Sequence, residues 1–219
     1  MNPFAEDIVG VIAGGLIGFL AAVFAEPLRQ RLFKPKLRLE FGGGPDYFTY
    51  TPEGAGEERH EAIYLRVKVA NESPFIARDC RAYLVNIEKK DEHGKFKRTI
   101  YADSMPLAWS GRKPNEVYDP IDIPKDVPQY FNILATKSIS HEFHPLIMVV
   151  PYRYGELFKE TGTFRFTVQV SAQGGHSKRF KLTFNWRGLW DDFDANSLES
   201  KEFATKGRLE GSSHEDSRV

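Results

Sequence analysis

The chain has 219 residues, enough for one domain with appendages, and its 30 basic side chains are matched by 30 acidic ones. That balance excludes a bulk attraction to nucleic acid or anionic lipid, so charge-driven recognition has to come from local clusters. The single cysteine, Cys80, excludes an internal disulfide and fits a reducing compartment, while 17 phenylalanines favour a strand-rich core.

Residues 1–7 are a short lead carrying Glu6 and Asp7. Ile8 to Ala25 are uncharged throughout; as a helix they reach about 27 Å, close to the roughly 30 Å of a hydrocarbon core. Residues 26–36 form a basic linker, and Arg29, Arg31, Lys34, Lys36 and Arg38 follow the apolar stretch closely. Their long side chains can snorkel to the interface, and positive flanks stay on the cytoplasmic side. The expected topology is a single-pass protein of a bacterial inner membrane, with the N-terminus outside and the C-terminal domain cytoplasmic. Two alternatives stay open. Val23-Phe24-Ala25 has the residue spacing of a signal-peptidase site, which would release an exported domain, although the acidic lead is wrong for one. A buried core helix is the other, although the stretch has no polar face.

Gly10, Gly14 and Gly18, continued by Ala22, recur every four residues and line one side of such a helix. In lipid, close backbone approach is what pairs helices, so the pattern predicts self-association through this face. The plainer reading is that Gly and Ala are simply frequent in membrane helices.

From residue 37 to 190 the period changes to two. KLRLEF turns Leu37, Leu39 and Phe41 to one side; LRVKVA does the same with Leu65, Val67 and Val69. CRAYLVNI, from Cys80 to Ile87, is apolar on both sides and suits a central strand, and PLIMVVP reads as a short buried run. GTFRFTVQV and RFKLTFNW alternate cleanly, with Phe164, Phe166, Val168 and Val170, then Phe180, Leu182, Phe184 and Trp186, inward. SAQGGHSK between them is a hairpin loop, and EKKDEHGKFKR is another. Prolines crowd the stretch from Pro106 to Pro128, which makes it an irregular crossover and not a helix. The fold class is therefore mainly β, an antiparallel immunoglobulin-like β-sandwich preceded by one transmembrane α-helix. Residues 191–219 turn polar; their beginning can pack, and their end has the composition of a disordered tail.

LRVKVANESPFIARDCRAYLVNI pairs a strand ending in Val-x-Asn with a turn, an alanine and a second alternating strand. This pattern resembles the CARDB-type immunoglobulin-like modules of bacteria, and the chain is similar to bacterial proteins that follow one membrane span with such a domain. The resemblance implies a sandwich that binds or spaces, with no catalytic residues to carry over. On its own physics, Asn71 at a strand end caps the turn with its side chain.

His141, Glu142 and His144 form the strongest metal candidate, yet two histidines three apart miss the four-residue spacing of a helical zinc protease site. A surface loop is the plainer reading. The rival function, a membrane-anchored metal-dependent hydrolase, would add Asp119 or Asp122 to His141 and His144. Cys80 lies in phase with Ala82 and Leu84, which reads as an inert buried thiol. Lys89, Lys90, Lys95, Lys97 and Arg98 gather around the second hairpin, either to meet a phosphate or membrane surface or as an ordinary solvated loop. Trp109, Trp186 and Trp190 either line a ligand site or close the ends of the core.

These readings converge on a binding or sensing module held at the membrane. Its expected partners are membrane lipid, a second copy through the glycine face, and a protein or small molecule on the sandwich. No nucleic acid, cofactor or resident metal is expected, and no enzymatic activity is assigned.

Overall fold

In chain order the strands are β1 (Leu37–Glu40), β2 (Phe48–Glu53), β3 (His60–Asn71), β4 (Ala77–Lys90) and β5 (Phe96–Arg98). Then come β6 (Met105–Pro106), β7 (Ile121–Ile123), β8 (Gln129–Lys137) and β9 (Phe143–Pro145). A short helix, α1 (Gly155–Lys159), precedes β10 (Gly162–Ala172), β11 (Gly175–His176), β12 (Phe180–Leu189) and β13 (Asp192–Ser197). This computed structural model describes residues 34–197 together with Phe19 alone.

The strands form two antiparallel sheets in a β-sandwich-like arrangement. The first has the order β1-β3-β8-β9, with β2 sharing the β1 edge of β3; the second has the order β13-β12-β10-β4-β5, with β11 on β10 and β6 and β7 on β4. Alternation decides which residues meet between them. Leu65, Val67 and Val69 from β3, Phe164, Phe166, Val168 and Val170 from β10, and Phe180, Leu182, Phe184 and Trp186 from β12 are all buried. Leu37 and Phe41 are buried as expected, and Leu39 packs partly against the same core. The interior position of β4, between β10 and β5, explains why Cys80 to Ile87 carries few polar residues.

Of the four register shifts, two in the middle of the sheets show how the phase of the pattern changes. Leu84 pairs with Val168 and Asn86 with Thr167, so Val85 is the extra residue, and the inward set moves from Cys80, Ala82 and Leu84 to Ile87. In the first sheet Leu65 pairs with Leu134 and Arg66 with Asn132, which makes Ile133 extra and buries it beside Leu134.

Phe143 on β9 is the hub of the core. Its ring lies 5.0 Å from Phe164, 5.5 Å from Phe158 and Phe184, and 6.1 Å from Phe166 and Trp186. Most of these contacts are edge-to-face, which places positive ring edges against negative faces.

The stretch GGGPDYFTYTPEGAGEE, rich in breakers, carries β2, and alternation does not predict β8 or β9; the fold departs from expectation at two further places. The second sheet runs on past Trp190, because Phe193 and Ala195 alternate with Asp192 and Asp194 and are buried against β12. The acidic outward positions disguise that strand as the start of a polar tail. In PLIMVVP, only Ile147 is buried among the large aliphatics, while Met148, Val149 and Val150 are exposed at 47%, 59% and 49%. The backbone stays tied through Met148, whose amide donates to the Pro106 carbonyl at 3.0 Å, and then leaves without a strand partner. No helix among the described residues is long and apolar enough to cross a membrane. The apolar stretch 8–25, except for Phe19, and the tail from 198 lie outside the described residues.

Candidate functional site

The residues singled out by sequence do not gather at one place. Gly10, Gly14, Gly18, Ala22, Arg29 and Arg31 lie outside the described residues. Lys34 and Lys36 are exposed, and Arg38 is paired, 2.8 Å from Glu72 and also in contact with Glu40. Trp109 and Trp186 are core residues at 2% and 1% exposure, Trp109 edge-on to Phe131 and Trp186 stacked on Phe184. Of the three candidate ligand-lining tryptophans, only Trp190 keeps surface, and its carbonyl accepts from Thr136 Oγ1 at 2.7 Å. The indole N–H of Trp186 has no acceptor among the described residues.

The histidines of the metal candidate are engaged separately. His141 donates from Nδ1 to the Gly188 carbonyl at 3.2 Å, while His144 Nε2 lies 3.2 Å from Ser140 Oγ. Burial lowers the His144 pKa, although Glu142 pulls the other way. Asp122 sits instead on β7, where it accepts from the Asp79 amide at 3.1 Å. Among the described residues no group of three or more His, Cys, Asp or Glu side chains could hold a metal ion. Cys80 is fully buried, and burial foremost, with Asp122 and Asp79 adding, pushes its thiol up to about 12.

A groove of about 740 Å³ runs between the β4–β5 hairpin and α1. It contains much of the basic hairpin cluster, but Asp91, Glu92, Glu156 and Glu160 line it too. Lys89 pairs with Glu160 at 2.5 Å and Lys97 with Asp91 at 3.1 Å, so two of the five cluster cations are neutralised within the protein, and Lys90 and Arg98 are not ion-paired among the described residues.

The outer face of the second sheet is different. The registers of β4, β5, β10 and β12 turn Arg81, Lys90, Arg98, Arg165 and Lys181 to the side away from the core. Glu88 is the carboxylate among them. It accepts from Arg165 at 2.8 and 2.9 Å, and Arg165 also lies 4.1 Å above the Phe96 ring. Arg165's hydrogen bonds foremost, helped by the charges of Arg165, Lys181 and Arg98, hold the Glu88 carboxyl below its ordinary 4.5. Thus one acid serves several cations. The acids Asp192 and Asp194 at the far edge are taken by Arg187, and Asp79 stands at the start of β4.

On the first sheet's outer face most charges are matched, and Arg66 is held instead by Ser110 Oγ, the Pro45 carbonyl and the Tyr130 ring. Glu40 meets Arg38 and, at 3.0 Å, Lys68; Glu53 meets Lys137 at 2.7 Å and His60 at 3.1 Å, with Tyr64 donating to it as well. Burial works to raise the Glu53 pKa, but the bonds and charges of Lys137 and His60 outweigh it and leave the carboxyl below its ordinary value.

At one end of the basic face lies a second groove of about 630 Å³, lined by Tyr83, Val85, Ser104, Gln169, Ser171, His176 and Arg179. Cross-strand pairing of Tyr83 with Gln169 and of Ser171 with both Arg81 and His176 brings these side chains together. The lining contains no carboxylate. Gln169 donates to the Ser177 carbonyl at 2.9 Å, whereas Tyr83, Ser104, Ser171, His176 and Arg179 make no side-chain hydrogen bond to other described residues. Hydroxyls, an imidazole and a guanidinium facing a carboxylate-free concavity suit an anionic or polyhydroxylated ligand.

Sequence reasoning missed this groove because its residues come from β4, β10, β11 and two loops, and none forms a motif. One signal was present: the outward positions of the alternating strands are disproportionately basic. The chain matches no family model and no curated protein.

Proposed function

We propose that the protein is a single-span, membrane-anchored binding module that holds an anionic ligand in the groove between Tyr83 and Arg179. The observation that carries this reading is the groove itself, whose side-chain donors other than Gln169 make no hydrogen bond to described residues and whose described lining holds no carboxylate. In this reading the stretch 8–25 crosses the membrane with its N-terminus outside, and the basic linker keeps an immunoglobulin-like sandwich in the cytoplasm. The CARDB-like pattern around Asn71 belongs to the same view, since such modules bind or space without catalysis. Gly10, Gly14, Gly18 and Ala22 bring copies together in the bilayer, and that proximity lets weak contacts of the folded part count.

Two measurements test it. A carboxyl-terminal green fluorescent protein fusion is expected to fluoresce and an alkaline phosphatase fusion to stay inactive; the reverse pattern overturns the topology. Native mass spectrometry of the full chain released from membranes is expected to show a bound anion that Arg179→Ala removes. A wild-type spectrum free of added mass, or one unchanged by that substitution, overturns the groove as binding site.

A further inference from the structure

We infer that the outer face of the second sheet docks on the anionic bilayer leaflet from which the chain emerges, with the polar groove taking a lipid phosphate. This rests on the anchored reading above and names the partner of the same face.

Charge asymmetry is the first support. The chain is neutral as a whole, and on the first sheet's outer face Arg38, Lys68 and Lys137 are ion-paired while Arg66 is engaged by Ser110, the Pro45 carbonyl and the Tyr130 ring. Arg81, Lys90, Arg98, Arg179 and Lys181 have no ion-pair partner among the described residues, and the first, second, third and fifth project on one side from β4, β5 and, across β10, from β12. Neighbouring strands lie about 4.8 Å apart, so these cations form a lattice on a broad surface, which suits a planar anionic partner. Each such cation near an anionic surface adds its own attraction.

The second support is where the chain enters the fold. Lys34 and Pro35 lie against the β10–β11 hairpin: a methyl group built on Gly175 would stand 3.3 Å from Lys34 Cγ and 3.4 Å from Pro35 Cδ. The Glu72 amide donates to the Lys36 carbonyl at 2.8 Å and ties this entry segment to the end of β3. His176, on that hairpin, lines the groove. From Ala25 to Lys34 the backbone spans at most about 32 Å, at roughly 3.3–3.6 Å per residue. A membrane span ending at Ala25 therefore holds the groove end of the basic face within reach of the headgroups.

Third, the groove matches a headgroup in chemistry. Its volume of about 630 Å³ and its lining of Arg179, His176, Tyr83, Ser104 and Ser171 offer a phosphate several donors and no repelling charge.

The test is lysine footprinting by mass spectrometry on the full chain in nanodiscs. Discs of phosphatidylcholine alone are compared with discs containing phosphatidylglycerol. Acetylation of Lys181 and Lys90 is expected to slow roughly three- to tenfold in the anionic discs and to recover at high salt, where surface charges are screened. Lys68 and Lys137 on the opposite sheet are expected to label equally in both. The double variant Arg81→Glu, Lys181→Glu is expected to lose protection of Lys90. Equal labelling of Lys181 and Lys90 in the two lipids overturns the docking while leaving the anchor intact. Failure of the chain to enter nanodiscs overturns the anchor and the docking together. Protection in neutral discs by added RNA, equal to that given by anionic lipid, overturns the lipid assignment in favour of a general polyanion face.

Discussion

Asn71 donates from Nδ2 to the Ile123 carbonyl at 2.9 Å, joining the end of β3 to β7 across 52 residues of sequence. The same amide donates to the Phe75 carbonyl at 2.7 Å, and its Oδ1 accepts from Ser73 N at 3.0 Å and Ser73 Oγ at 2.6 Å. With the side chain buried, every one of these bonds replaces water. One residue thus closes the β3–β4 turn and pins the proline-rich crossover to it. Asn71→Ala is expected to destabilise the fold by about 2–3 kcal/mol, because it removes the buried donor to the Ile123 carbonyl and the acceptor for Ser73. Asn71→Asp is expected to be worse at neutral pH, where a carboxylate would face two carbonyls, and to recover partly in acid. Urea unfolding monitored by tryptophan fluorescence measures both; a change no larger than that of an exposed substitution such as Glu57→Ala refutes the role.

Phe143 comes from a strand of three residues, yet it touches rings from β10, β12 and α1. Phe143→Ala is expected to cost about 3–5 kcal/mol, combining lost transfer energy with the cavity left behind. Phe143→Leu should cost much less, since it keeps most of the volume. Thermal unfolding of the two variants distinguishes a packing hub from a peripheral aromatic.

The Cys80 thiol is buried, and its pKa is raised to about 12, by burial foremost. Little thiolate exists at neutral pH, and reagents reach the sulfur only when the sheet opens. Reaction with Ellman's reagent at pH 8 is expected to be slow in the native protein and immediate in denaturant. A rapid native reaction would contradict the packing around β4.

Glu88 makes stability pH-dependent in a defined direction. Its folded pKa lies below the ordinary 4.5, chiefly through Arg165's hydrogen bonds. The contribution is therefore present above the unfolded value and is lost as pH falls through the lower folded value. Between about pH 5 and 3 the wild type is expected to lose melting temperature more steeply than Glu88→Gln, which has no proton to gain. Parallel melting curves for the two proteins over that window would show that the ion pair carries no linkage.

For the amino-terminal stretch, Gly14→Ile is expected to abolish self-association in membranes, read by energy transfer between tagged copies, without releasing the protein into the soluble fraction. In the proposed reading, a bulky side chain at the centre of the glycine row would prevent the close approach by which copies pair. Unchanged energy transfer would show that copies do not meet through this stretch.

The sequence by itself determined the inward faces of β1, β3, β10 and β12, because a period of two is a property of neighbouring residues. Leu65, Val67 and Val69, or Phe164 and Phe166, declare their burial without knowledge of any partner. It also determined that Asn71 would cap a turn, since that chemistry is local. Tertiary structure alone decided that β13 continues the sheet, that Val85 and Ile133 bulge, and that Met148 to Val150 stay exposed. Each of these depends on which strand lies alongside, and pairing partners here are often more than fifty residues apart. The same holds for the site. Arg81, Arg165 and Lys181 are ordinary surface residues in their own strands; only the registers that align β4, β10 and β12 turn them into one positive face beside the groove of Tyr83 and Arg179.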